Sequence, residues 1–118
     1  MTKFFRGFHY AAQGLLYTFR TQINFRVQIF SAFVVIGLSY YLGLDTSEWL
    51  WILLAITLVL ICELANTAIE TLVDLVSPEI NTKAGIIKDI FAGLVLISAI
   101  FALLVAILIL LPKILYAS

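Results

Sequence analysis

Glu63, Asn66, Glu70 and Asp74 follow one another at steps of three, four and four. That spacing lays side chains along one face of an α-helix. They lie within a run from Trp49 to Val76 otherwise dominated by Leu, Ile, Val and Ala. A carboxylate at the centre of a membrane helix costs about 2.5–3.5 kcal/mol on insertion scales, so such a stripe is too expensive to be idle. The bland alternative is hydrogen-bonding glue between packed helices. Counted from Trp49, a core of about 20 residues ends near Thr67 or Ala68. Glu63 then sits roughly 7 Å below the surface at 1.5 Å per residue, with Glu70 and Asp74 among the headgroups. A carboxylate in apolar surroundings makes a good proton acceptor. Surface acids with no basic neighbour at hand suit a divalent cation. Lys88 and Asp89 close a polar stretch, Ser77 to Asp89, at the expected start of the next helix. Free N–H groups at such an end favour phosphate. A base, metal ligands and a phosphate anchor at one membrane surface are the parts for phosphoryl transfer to a lipid headgroup. The sequence has no GxxxxGK[ST] loop and no protein-kinase signature, which excludes the familiar soluble solutions.

The elements that must hold these residues follow from composition. Of 118 residues, 64% are hydrophobic and 12% charged, about half the charge of a soluble domain. Mean hydropathy is +1.14. Disorder, nucleic-acid binding and an ordinary soluble enzyme are excluded, and most of the chain faces lipid. Apolar stretches at about 25–44, 49–76 and 90–111 are each long enough to cross a bilayer as a helix. Gly43 to Glu48 is a short polar turn; Ser77 to Asp89 reads as a longer loop, with Pro78 as a stop and Gly85 as a loosening point. Residues 2–24 differ. Phe4, Phe5, Phe8, Ala12, Leu15, Leu16 and Phe19 recur at helical spacing, and Lys3, Arg6, Tyr10, Gln13, Tyr17 and Arg20 occupy the other side. Asn24 and Gln28 extend that polar stripe. This predicts an amphipathic helix in the membrane surface. The expected fold is all-α: one surface helix and three membrane spans in a single domain, 1–118.

Seven basic and seven acidic residues cancel to a net charge of +0, so their positions matter. Lys3, Arg6, Arg20 and Arg26 precede the first span, and Lys83 and Lys88 lie in the second loop. By the positive-inside rule the N-terminus and second loop are cytoplasmic. Arg20 and Arg26 read as headgroup anchors. Lone Cys62 allows no intramolecular disulfide.

The run ELANTAIETLVD (Glu63 to Asp74), followed by KDIFAGLVLI (Lys88 to Ile97) and preceded by NFR at Asn24 to Arg26, resembles the prokaryotic diacylglycerol kinase family, which includes the undecaprenol kinases. The resemblance covers nearly the whole chain. It implies a homotrimeric enzyme of the bacterial cytoplasmic membrane that moves the γ-phosphate of MgATP onto a lipid hydroxyl. By motif position, Glu63 is the implied general base, Glu70 a Mg²⁺ ligand, and Asn66 a support for the phosphates. Lys88 and Asp89 are implied nucleotide contacts, and Glu79, Ile80 and Asn81 form a loop over the adenine. Lys3, Arg6 and Tyr10 fall where the family meets ATP or the headgroup. Asp74 and Arg26 are secondary site candidates. The family usually carries Glu at the position of Gln22; a Gln carbonyl coordinates Mg²⁺ only as a neutral ligand, so weaker metal binding is expected here.

Two readings compete with a lipid kinase. One is a small oligomeric transporter or channel with an acidic ion path; the other is an inactive structural subunit, a reading that Gln22 sustains. The off-centre depth of Glu63 and the Lys88–Asp89 pair favour the kinase. Undecaprenol and diacylglycerol both remain as acceptors, with NFR and IIKD leaning toward undecaprenol. Three helices make a thin bundle, so oligomerisation is expected, with small surfaces at Ala65, Ala68, Ala92 and Gly93 and sites shared between subunits.

Overall fold

A computed structural model describes residues 2–116 as four helices: α1 (Thr2–Thr21), α2 (Ile23–Leu42), α3 (Thr46–Val76) and α4 (Thr82–Tyr116). The described residues contain no strand. Helices α2, α3 and α4 are each long and apolar enough to cross a membrane.

α1 and α2 are separate because Gln22 adopts an extended conformation (φ −115°, ψ 110°). The polar stripe expected to run through residue 24 therefore ends at the elbow, and Asn24 and Gln28 belong to α2. Arg26 secures that elbow: its Nη1 donates to the carbonyls of Phe19 at 2.6 Å and Arg20 at 3.1 Å. These are C-terminal carbonyls of α1 that the helix itself leaves unpaired. Arg26, expected as a headgroup anchor, thus also bonds within the chain. α1 is otherwise exposed, with Thr18 its buried residue.

The α2–α3 turn is tight because both ends are capped. Gly43 ends α2 in the left-handed region (φ 70°), where a side chain would be strained. Its N–H donates to the carbonyls of Ser39 and Tyr40. Asp45 and Glu48 form a reciprocal capping box, so α3 starts at Thr46, three residues before the expected span.

The α3–α4 connection departs more from expectation. Asn81 Oδ1 accepts from the N–H groups of Lys83 at 2.9 Å and Ala84 at 3.2 Å, a side-chain N-cap. Gly85 N–H donates to the Asn81 carbonyl at 3.0 Å. The loop is thus reduced to Ser77–Asn81, and Gly85, Lys88 and Asp89 are helical. A glycine lowers helix propensity by about 1 kcal/mol, too little to undo a well-capped helix of 35 residues. At the far end α4 continues through Pro112 to Tyr116.

Two ion pairs bracket the antiparallel α3–α4 pair. Lys113 meets Glu48 at 3.2 Å at one end, and Lys88 meets Asp74 at 2.6 Å at the other. Between them the apolar core gathers toward the Glu48 end, around Leu44, Ile52, Ala55, Val105 and Leu110. The half nearer Asp74 buries polar groups instead: Glu63, Asn66, Thr67 and Ser98. Ser98 Oγ donates to the Val95 carbonyl at 2.7 Å. Many large apolar side chains, among them Phe30, Phe33, Leu96 and Leu108, remain exposed, as three helices have too little mutual surface to cover them.

Candidate functional site

The site is built on the half of α3 nearer Asp74. Glu63 is 1% exposed. Its side chain is met from α2 by Gln28, whose Nε2 donates to Glu63 Oε2 at 3.5 Å. One turn along, buried Asn66 donates through Nδ2 to Glu70 Oε1 at 3.2 Å. Asn66 Oδ1 is buried and has no partner among the described residues. Buried oxygens without a donor are rare, so this atom is an acceptor held ready. Thr67 and Thr71 return their hydroxyls to the carbonyls of Glu63 and Thr67 at 2.9 and 2.8 Å, so helix threonines do not compete for these carboxylates.

Further along the face, Asp74 is bonded to Lys88. The expectation that the surface acids lack a basic neighbour is corrected for Asp74. Lys88 reaches it from the second turn of α4, where the carboxylate on α3 and the ammonium on α4 meet. The helix N-terminus expected beside Lys88 and Asp89 is also displaced. That terminus lies at Thr82, where Asn81 already occupies two of its N–H groups. Lys88 nevertheless lines a cleft of ≈ 240 Å³ together with Asp74, Glu79, Ile80, Asn81 and Gly85. Five residues singled out in the sequence are thereby brought together at the α3–α4 turn. Asp89 is exposed one residue beyond.

The remaining candidates are not gathered with them. Lys3, Arg6 and Tyr10 are exposed on α1, and Arg6 lines a shallow depression with Thr2, Phe5 and His9. A larger groove of ≈ 710 Å³ runs between α1 and α3, lined by Ala11, Gly14, Tyr17, Thr18, Leu64, Thr67, Ala68, Thr71 and Leu72 among others. It passes close to the polar stripe on the same helix.

The oxygen donors fit a hard cation only in part on their own. Among the described residues no cluster of three His, Cys, Asp or Glu side chains could enclose a metal. Mg²⁺ commonly needs just one or two carboxylates and takes its other ligands from phosphates and water. Glu70 and the unpartnered Asn66 Oδ1 suit that arrangement. The Gln22 side chain makes no capping hydrogen bond at α2.

Gln28 escaped notice in the sequence as a site residue because it reads as the end of the surface stripe. An amide inside the membrane-length apolar run at about 25–44 was the available signal.

Residues 9–110 match the family model for prokaryotic diacylglycerol kinase. The chain is 35% identical over 113 residues to undecaprenol kinase of Bacillus subtilis (strain 168), covering 96% of this chain and 92% of that one. It is 42% identical over 110 residues to a diacylglycerol kinase of Synechocystis sp., covering 92% of this chain but spanning only 63% of the relative's length. A diacylglycerol kinase of Haemophilus influenzae is 33% identical over 89 residues, 75% of either chain. A match that begins within α1 and ends within α4, with relatives aligned over most of the same length, makes this chain a member of the prokaryotic diacylglycerol kinase family.

Proposed function

We propose that the chain is an ATP-dependent lipid kinase that transfers the γ-phosphate of MgATP to the hydroxyl of a membrane lipid, undecaprenol or diacylglycerol. The observation that carries this reading is Glu63. It is an acid 1% exposed in a membrane-length helix, in line with a buried, unpartnered amide oxygen on Asn66 and a carboxylate on Glu70.

In this reading Glu63 takes the proton from the lipid hydroxyl as that oxygen attacks phosphorus. Asn66 orients Glu70 and offers Oδ1 to the Mg²⁺ that accompanies the phosphates. Glu70 and Gln22 hold Mg²⁺ with the phosphates, and the bound metal supplies charge neutralisation on them. Lys88 stays close enough to the turn to meet phosphate, with Asp74 fixing its ammonium. Glu79, Ile80 and Asn81 face the nucleotide from the α3–α4 turn and Asp89 from the second turn of α4, while Lys3, Arg6 and Tyr10 meet it or the headgroup from α1.

The groove between α1 and α3 suits the lipid tail. Its threonine hydroxyls at 18, 67 and 71 donate to carbonyls of their own helices, leaving Tyr17 as its one side-chain donor among the described lining residues. A diacylglycerol brings two ester carbonyls that want donors, and a polyprenol brings none. The groove therefore favours undecaprenol.

The turn at Ser77–Asn81 and the N-terminus belong to the cytoplasmic face of a bacterial membrane, the side where basic residues concentrate. A homotrimer would cover the exposed apolar faces and enclose the acidic stripe between subunits. The test is transfer from labelled ATP to each lipid in mixed micelles, by wild type and Glu63→Gln. Wild type is expected to phosphorylate lipid, and Glu63→Gln to keep only a small residual turnover. Undiminished transfer by Glu63→Gln removes the base assignment, and transfer to neither lipid removes the reading.

A further inference from the structure

Gln28 stands between the two protonation states that Glu63 must occupy. Its Nε2 donates to Glu63 Oε2, while its own Oε1 is buried and has no partner among the described residues. A carboxylate only accepts hydrogen bonds; once it has taken a proton it carries an O–H donor as well. At 1% exposure, Glu63 has no bulk water to receive that donor, and a buried donor left unpaired is costly. An amide serves both states, donating through nitrogen and accepting through oxygen. The separation of 3.5 Å is long, as catalytic hydrogen bonds often are before substrate closes the site.

We infer that Gln28 is a positioning residue for Glu63, holding the ionised carboxylate before transfer and accepting the hydrogen bond of the protonated acid afterwards. This rests on the reading of Glu63 as the base. In the step concerned the lipid O–H bond breaks and its proton passes to Glu63. The lipid oxygen bonds to the γ-phosphorus as the bond to the β–γ bridging oxygen breaks, and ADP leaves with that electron pair. Gln28 makes and breaks no covalent bond. Its amide turns from donor to acceptor, and the unpartnered oxygen is the acceptor in reserve.

The experiment compares wild type, Gln28→Leu and Gln28→His in full-length protein, each alone and combined with Glu63→Gln, using labelled ATP and undecaprenol in mixed micelles. Leucine can neither donate nor accept, whereas histidine can do both. Gln28→Leu is expected to lower kcat about tenfold to a hundredfold with KM for MgATP unchanged. Gln28→His is expected to restore most of that loss. In the Glu63→Gln background, Gln28→Leu is expected to add no further loss to the residual turnover. Wild-type kcat in Gln28→Leu, a loss confined to KM, or the same fold-loss in both backgrounds overturns the inference. If Glu63→Gln is itself fully active, the base reading fails and this inference with it. If Glu63→Gln loses activity and Gln28→Leu keeps the wild-type kcat, this inference fails alone. Should Gln28→Leu not fold, as judged by helix content and trimer recovery, Gln28→Met is read by the same criteria.

Discussion

Replacing Asn66 with alanine separates what that residue does for the fold from what it does for the site. Two groups are lost. Nδ2, which donates to Glu70 Oε1 at 3.2 Å, is a hydrogen bond to an ionised group, a class that contributes about 1.5–3 kcal/mol. Glu70 is half-buried, which argues for the lower end, about 1.5 kcal/mol. Oδ1 is buried without a partner, and an unmet buried oxygen costs about 1–3 kcal/mol. The two contributions oppose each other in the folded protein, so Asn66→Ala is expected to unfold within a few degrees of wild type in thermal scans in detergent. They do not oppose each other once nucleotide is bound. In the proposed reading the variant then lacks both the hold on Glu70 and an oxygen for Mg²⁺, and apparent affinity for MgATP is expected to fall about tenfold or more, since 1.4 kcal/mol is a factor of ten. Steady-state transfer to undecaprenol, titrated with MgATP at saturating lipid, reads this as a rise in KM. A variant that melts far below wild type while keeping its KM for MgATP would refute the reasoning, because Asn66 would then be interhelical glue and its free oxygen incidental.

Two further outcomes follow from the same geometry. Gln22→Glu restores a charged oxygen at the elbow, and is expected to lower the Mg²⁺ concentration for half-maximal activity several-fold; an unchanged Mg²⁺ titration takes residue 22 out of the metal site. Arg26→Ala frees the carbonyls of Phe19 and Arg20, and is expected to make the α1–α2 elbow cleave faster in limited proteolysis while α3 and α4 stay protected; equal cleavage rates would show that the elbow is held by something else.

The acidic stripe was legible in the sequence because charge is scarce in this chain. An acid amid Leu, Ile and Val at helical spacing stands out wherever the helix begins or ends. The capping box at Asp45 and Glu48 lay within a stretch read only as a polar turn, since its geometry emerges when the backbone turns into α3. The start of α4 was misplaced because Gly85 and the polar residues around it resemble a loop. The Asn81 cap, worth about 1 kcal/mol as such caps are, together with the long apolar continuation, carries the helix back to Thr82. Gln28 was read only as the end of the surface stripe because nothing in its neighbours shows that Gln22 leaves helical geometry.

By itself the sequence determined that three segments cross lipid and that a surface helix precedes them. It also determined that Glu63, Asn66, Glu70 and Asp74 share a face. Those properties depend on hydropathy and on the 3.6-residue turn, which are local. Only the tertiary structure decided that Lys88 bonds Asp74, that Arg26 closes the elbow, that Asn66 keeps a free oxygen, and that Gln28 meets Glu63. Each depends on how far one helix is shifted and rotated against another. That register is set by the packing of many apolar side chains at once, and no short stretch of sequence carries it.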